Sequence, residues 1–312
     1  MICDLHCHTK LSDGSLGIED IIMQAKRTGI DFLSITDHDT LSSFSRANIL
    51  GERYGVRIIQ GVELSAWDKA RNSKVHILCY APKKPDRLEG LCLKSCEIRK
   101  ACSKEMVEKV MERFPITLES VMRHATSSKS IFKQHIMRAL IDYGYALEFY
   151  GELNDELFNL ENGSCLVERE YPDVKFVLDL IHSARGVAVM AHPMLYHNVE
   201  LLVELAEMGK IDGVEVDHYT ANEAQREELR KIAQKYNLIV TGGSDFHGTA
   251  KPGLDLGTGF PRALQCSAHA SGQQQHQQGK SGSDHQACQQ EGGIIHENFL
   301  SAPRHLPSPH RH

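Results

Sequence analysis

The sequence predicts an α/β fold in which seven short strands alternate with helices and close, or nearly close, into a parallel β/α barrel. Three observations predict it. Short apolar runs recur at 2–7, 32–36, 57–63, 75–80, 187–191, 213–217 and 238–243, and most end on a polar residue. Apolar residues at helical spacing fill several of the gaps. Histidines and carboxylates gather just after the runs, at the face where β/α barrels keep their active sites. A doubly wound open sheet is the alternative.

The helices follow from spacing and punctuation. Ile18, Ile21, Ile22 and Ala25 share a face, and Gly29 supplies a stop. Val174, Val177, Leu178 and Ile181 repeat the pattern between Pro172 and Gly186. Val199, Leu202, Val203 and Ala206 do so again before Gly209. Residues from about 95 to 165 interrupt the alternation and read as a helical insert beside the barrel mouth. Across 94–140, ten Lys and Arg stand against five Glu, in a chain of formal net charge -6. That local excess suits either a lid over an anionic substrate or an ordinary solvated surface. The barrel is expected to span 1–260. Beyond it, the run Gln273 to Gln278 is of low complexity and seven of the 18 histidines fall in 261–312, so this tail is expected to be disordered.

A chain of 312 residues, 41% of them hydrophobic, can bury one sizeable core. Its negative charge argues against a general polyanion binder, duplex DNA included. No apolar run reaches the ~18 residues of a membrane helix, and no secretory leader is visible, so a cytoplasmic protein is expected. Nine irregularly spaced cysteines read as reduced, mostly buried thiols.

Nine donors carry the chemistry. His6 and His8 are two apart on the first strand and therefore share a face. Asp13 follows in a turn with Gly14. His38 comes directly after the second strand, between Asp37 and Asp39, with a carboxylate available to orient its ring. Glu63 closes the third strand, where it could bridge two cations. His76 lies among apolar neighbours, His192 precedes Pro193, and Asp245 and His247 repeat the two-residue spacing. Burying so many imidazoles and acids at one barrel face without metal would be costly. The set exceeds the four to six ligands of one ion, so two or three are expected. Mixed nitrogen and oxygen donors suit Mn²⁺, Zn²⁺ or Fe²⁺ better than Ca²⁺.

These motifs resemble the PHP family, named for polymerase and histidinol phosphatase domains. The resemblance runs in order through residues 1–260: Asp4-x-His6-x-His8 with Ser12-Asp13-Gly14, Thr36 to Thr40, Gly61-x-Glu63, His76, Ala191-His192-Pro193 and Ser244-Asp245-x-His247. It implies a distorted seven-stranded β/α barrel with up to three ions. His6, His8, Glu63 and Asp245 would hold one, Glu63, His76 and His192 a second, and Asp13, His38 and His247 a third. The chain is similar to phosphoesterases that remove the 3′-phosphate from nucleoside 3′,5′-bisphosphates, some relatives of which degrade short RNA from the 5′ end. By position, Arg99 and His135 of the insert are candidates to contact phosphate, and His218 could face the mouth. Lys133 stands where relatives commonly have an arginine, which gives up bidentate binding. The partner is thus expected to be a small phosphorylated substrate, a nucleotide or short RNA, attacked by water acidified between ions. No side chain is singled out as general acid. A histidinol-phosphate phosphatase and a non-catalytic metal-binding regulatory protein are the alternatives. The basic insert argues against the first, and retention of all nine donors against the second.

Overall fold

A computed structural model of the chain describes residues 2–250 and 253–257. The expected tail, 261–312, lies outside the described residues. Among the described residues, eight strands form two sheets. In the first, β1 (Cys3–Cys7), β2 (Phe32–Ile35) and β3 (Arg57–Ile58) are parallel neighbours. The second has the order β4 (Gly61–Asp68), β5 (Ser73–Tyr80), β6 (Val187–Met190), β7 (Gly213–Asp217) and β8 (Ile239–Gly242). Backbone contacts join the sheets at or just after the ends of β1, β2 and β8 and near the start of β4. Cys7 bridges Phe246 and His38 bridges Glu63, both in parallel sense. Asp245 N donates to His6 O at 2.8 Å and Glu63 N to Thr36 O at 3.1 Å.

Two features depart from an all-parallel barrel. The expected strand 57–63 is two strands, β3 and β4, separated at Ile59 and Gln60. β5 runs antiparallel to both β4 and β6. The link from β4 to β5 is only residues 69–72, with Asn72 left-handed at φ 51°. So short a link makes a hairpin and leaves no room for the crossover that a parallel pair needs.

Helices cover the outer faces. α1 (Ile18–Thr28) buries Ile18, Ile21, Ile22 and Ala25 and ends on Gly29 at φ 78°. With α2 (Phe44–Tyr54) it packs an apolar cluster against the first sheet. α3 (Asp86–Arg113), α4 (Leu118–Met122), α5 (Lys133–Asp142) and α6 (Glu152–Phe158) separate β5 from α7 (Val174–Ser183). A hydrophobic cluster of their own runs from Met106 to Cys165. On α7, Asp173 caps the start by accepting from Lys175 N at 2.9 Å, and Val174, Val177, Leu178 and Ile181 are buried. α8 (Val199–Glu207) turns a different face inward from the one expected. Leu201, Leu202 and Leu205 are buried, while Val199 and Ala206 only flank the core. Three leucines bury more apolar area than the smaller set, and that sets the rotation. α9 (Glu223–Tyr236) completes the layer over β7 and β8. No helix among the described residues is long and apolar enough to cross a membrane. The seven described cysteines form no disulfide with one another, and all but Cys102 are buried.

Candidate metal centre

The nine predicted donors converge at the seam between the sheets, Glu63 from near the start of β4 and His76 from within β5. Four groups of them each place one ligand atom per residue within 4.8 Å of the others: His8, Asp13, His38 and His247; His6, Glu63 and His192; His6, His8 and Asp245; His38, Glu63 and His76. Glu63 belongs to two of them, and its two oxygens also lie near rings of the others. Its Oε1 lies 2.6 Å from His76 Nδ1 and 3.0 Å from His192 Nε2. Its Oε2 lies 3.0 Å from His38 Nδ1 and 3.3 Å from Nε2 of both His6 and His8. The two oxygens thus face two different sets of rings. Asp245 Oδ1 stands 3.2 Å from His8 Nε2 and 3.4 Å from His247 Nδ1. Asp13 Oδ2 stands 3.3 Å from His247 Nε2 and 3.7 Å from His38 Nε2.

The donor set fits divalent ions. Buried atoms without a hydrogen-bond partner concentrate here: His8 Nδ1, Asp13 Oδ1, His38 Nδ1, Glu63 Oε2, both ring nitrogens of His76, and His192 Nδ1. Several are near one another yet misaligned for hydrogen bonds. Groups that all point at shared cations have that geometry, and buried polar atoms otherwise find partners. Burial, then His247 and His38, bring the His8 imidazole down to about 3, so it presents a neutral lone pair. Burial works against charge on Glu63 and Asp13 too. The surrounding imidazoles, His76 foremost for Glu63 and His247 for Asp13, nonetheless hold both carboxyls well below their usual range.

A layer of hydrogen bonds fixes these side chains. Glu215, in the middle of β7, accepts from His6 Nδ1 at 2.9 Å and from His192 N at 2.8 Å. Asp37 accepts from Thr9 N and Ser12 Oγ, each at 2.7 Å, and so clamps the loop that carries Asp13. Asp4 accepts from Ser244 N at 2.9 Å and positions the segment leading to Asp245. Such partners orient ligands and raise their basicity. The expectation that an acid beside His38 orients its ring is not met, because Asp37 binds the loop and Asp39 accepts from Ser65 N at 3.1 Å and pairs with Arg99. Gly243 must lack a side chain, since a Cβ there would lie 2.1 Å from His6 Cβ. His192 and Asp245 hold left-handed backbone at φ 25° and 48°, a strain of the kind stored at functional sites.

The substrate candidates differ in setting. Arg99 is buried, pairs with Asp39 and stacks 4.4 Å over Phe132, beside His38. His135 is buried, and its Nδ1 accepts from Phe132 N at 3.2 Å. Burial brings it down to about 4, and Asp13 is close enough to oppose that fall. A neutral ring that accepts at Nδ1 carries its proton on Nε2, and His135 Nε2 has no partner. His218 reaches Asp245 Oδ2 at 3.4 Å and Thr220 Oγ1 at 2.7 Å, so both ring nitrogens are engaged.

Sequence reasoning missed Glu215, Lys74, Arg169 and Tyr171. An acid between Val214 and Val216 in a buried strand was the available signal for Glu215. The other three come together only through the β4–β5 hairpin.

A family model described as the PHP domain matches residues 4–243. The chain belongs to the PHP family. It is a phosphoesterase, a hydrolase of phosphate esters. A phosphoribosyl 1,2-cyclic phosphate 1,2-diphosphodiesterase of Eggerthella lenta is 36% identical over 252 residues, 80% of this chain and 95% of that protein. A 3′,5′-nucleoside bisphosphate phosphatase of Chromobacterium violaceum is 27% identical over 263 residues, 81% of this chain and 90% of that one. The crystal structure of a protein described as a metal-dependent phosphoesterase, from Bifidobacterium adolescentis, superposes with a TM-score of 0.72 at 30% identity, covering 81% of this chain and 91% of that chain. The PHP fold of this chain thus has its α/β architecture in common with a solved relative.

Proposed function

We propose that the chain hydrolyses a phosphate ester on a small phosphorylated ribose, using two or three ions of Mn²⁺, Zn²⁺ or Fe²⁺ held by the nine donors. The observation that carries this is Glu63, a single buried carboxylate with five imidazoles around its two oxygens. Bound ions would supply Lewis acidity and lower the pKa of water toward about 7. The chain supplies the rest. Glu215 sets the His6 ring, Asp37 sets the Asp13 loop, and His135 offers an Nε2 proton to a phosphate oxygen. Arg99 and His218 would act through Asp39 and Asp245, which they hold.

Within this class the Eggerthella relative favours a cyclic phosphodiester across neighbouring hydroxyls of a phosphoribose. Removal of the 3′-phosphate from a nucleoside 3′,5′-bisphosphate is the second reading, supported by the motif resemblance and the Chromobacterium relative. Cleavage of short RNA is a third use of the same donors. The test offers purified, Mn²⁺-loaded protein 5-phosphoribose 1,2-cyclic phosphate, adenosine 3′,5′-bisphosphate, short 5′-phosphorylated RNA and histidinol phosphate in parallel. The cyclic ester is expected to give the highest kcat/KM. Preference for the bisphosphate would move the assignment to the second reading. No turnover of any of the four with Mn²⁺, Zn²⁺ or Fe²⁺ would refute the proposal.

A further inference from the structure

The β4–β5 hairpin carries the site outward from its metal-binding end. Residues directly opposite in an antiparallel pair share a face, so Ser65 with His76 and Trp67 with Lys74 form successive rows on the face that starts at Glu63. The Trp67–Lys74 row lies two residues, about 7 Å, beyond the His76 row. Tyr171 stacks on Trp67 at 5.7 Å between centroids. Lys74 Nζ sits 5.2 Å from the Tyr196 ring centre and donates to Tyr196 Oη at 3.3 Å. The Tyr196 ring in turn lies 5.4 Å from His76 and 5.5 Å from His192. One tyrosine therefore touches both the metal centre and the lysine. Arg169 completes the group with its guanidinium 4.3 Å over Tyr171.

Carboxylates are scarce here among the described residues, and tyrosines are the nearest partners of Lys74. Lys74 has no carboxylate within ion-pair distance among the described residues. Among the described residues the one carboxylate within ion-pair distance of Arg169 is Asp39, at 4.0 Å, which Arg99 already occupies. Lys133 feels the same field, since burial and then Lys74 and Arg169 bring its amine down to about 8. Partly buried cations crowded together without a counter-ion are costly, and an arriving anion relieves them.

We propose that Lys74 and Arg169, walled by Tyr171 and Tyr196, form a second anion subsite that takes the non-reacting phosphate of a doubly phosphorylated ribose. The other phosphate then reaches the metal centre one row inward. This rests on the ribose phosphoesterase reading and deepens it, because the two leading substrate candidates share such a second phosphate.

The experiment compares substrates that differ only there: adenosine 3′,5′-bisphosphate against adenosine 3′-monophosphate, and 5-phosphoribose 1,2-cyclic phosphate against ribose 1,2-cyclic phosphate. The parent should prefer the doubly phosphorylated member in kcat/KM. Lys74→Met and Arg169→Met should each cut that preference about tenfold, the worth of one charge-assisted hydrogen bond, mainly through KM. A parent without preference, or variants that lower both members of a pair equally, would overturn the subsite. If the parent turns over neither pair, the proposed function has failed, and metal-stripped protein titrated with adenosine 3′,5′-bisphosphate decides the subsite alone. About tenfold weaker binding by the variants supports it, and equal binding by parent and variants rejects it.

Discussion

The metal centre and the basic patch beside it meet at Asp39 and carry opposite imbalances. On one side, Glu63, Asp13 and Asp245 turn oxygens toward rings that leave many polar atoms without partners. On the other, Arg99 and Arg169 share one carboxylate, Asp39, and Lys74 and Lys133 add their charge beside Arg169. The first region is short of cations and the second of anions. Each alone is an expensive way to build a fold. Side by side they match the two ends of a metal–phosphate complex, so the cost of burial in each region is relieved by a different ligand.

Three substitutions probe this contrast, the largest effect first. Glu63→Gln removes the oxygen charge that every neighbouring ring addresses. It should lower activity by more than the roughly 10–100-fold that loss of an outer hydrogen-bond partner costs. Elemental analysis should find less bound metal, and full metal content with full activity would separate Glu63 from the centre. Arg99→Met removes the closest cation from Asp39, which is 3% exposed, and leaves it Arg169 at 4.0 Å. Breaking a buried pair costs about 3–5 kcal/mol, to be read from urea denaturation. The double variant Asp39→Asn/Arg99→Met should recover much of that loss, whereas additive losses would show that the pair is not coupled. His135 gives the smallest effect, through pH. Its folded value of about 4 lies below the ordinary 6.5 of the unfolded chain. The unfolded state therefore binds the proton first as pH drops, and stability falls between about 6.5 and 4. Linkage puts the loss at about 2 kcal/mol by pH 5. His135→Gln should shrink the fall in melting temperature between pH 7 and pH 5, measured on metal-stripped protein. An unchanged fall would place the proton uptake elsewhere.

Eight of the nine donors were legible because each lies in or just after an apolar run, Asp13 following in a turn, and strand periodicity states which residues share a face. His6 with His8, and Asp245 with His247, are the plainest instances. Strand direction was not legible, because alternation reads the same in both senses. The antiparallel course of β5 follows from the shortness of the turn at 69–72, and β4 runs on to Asp68 where the expected strand stopped at Glu63. The rotation of α8 was hidden because its two faces are both apolar, and only packing chooses between them. The basic patch was hidden for a different reason. Lys74 and Arg169 are far apart in sequence, and each alone looks like a solvated surface residue. Charge density is a property of the folded surface that no local window contains.

Glu63 also belongs to the seam between the sheets, since it donates its amide to Thr36 and accepts at its carbonyl from Asp39. Cations gathered at its side chain would rivet two halves of the architecture at their join. Chemistry and mechanical integrity would then share one fastening, so a chelator would loosen the scaffold as well as silence the reaction.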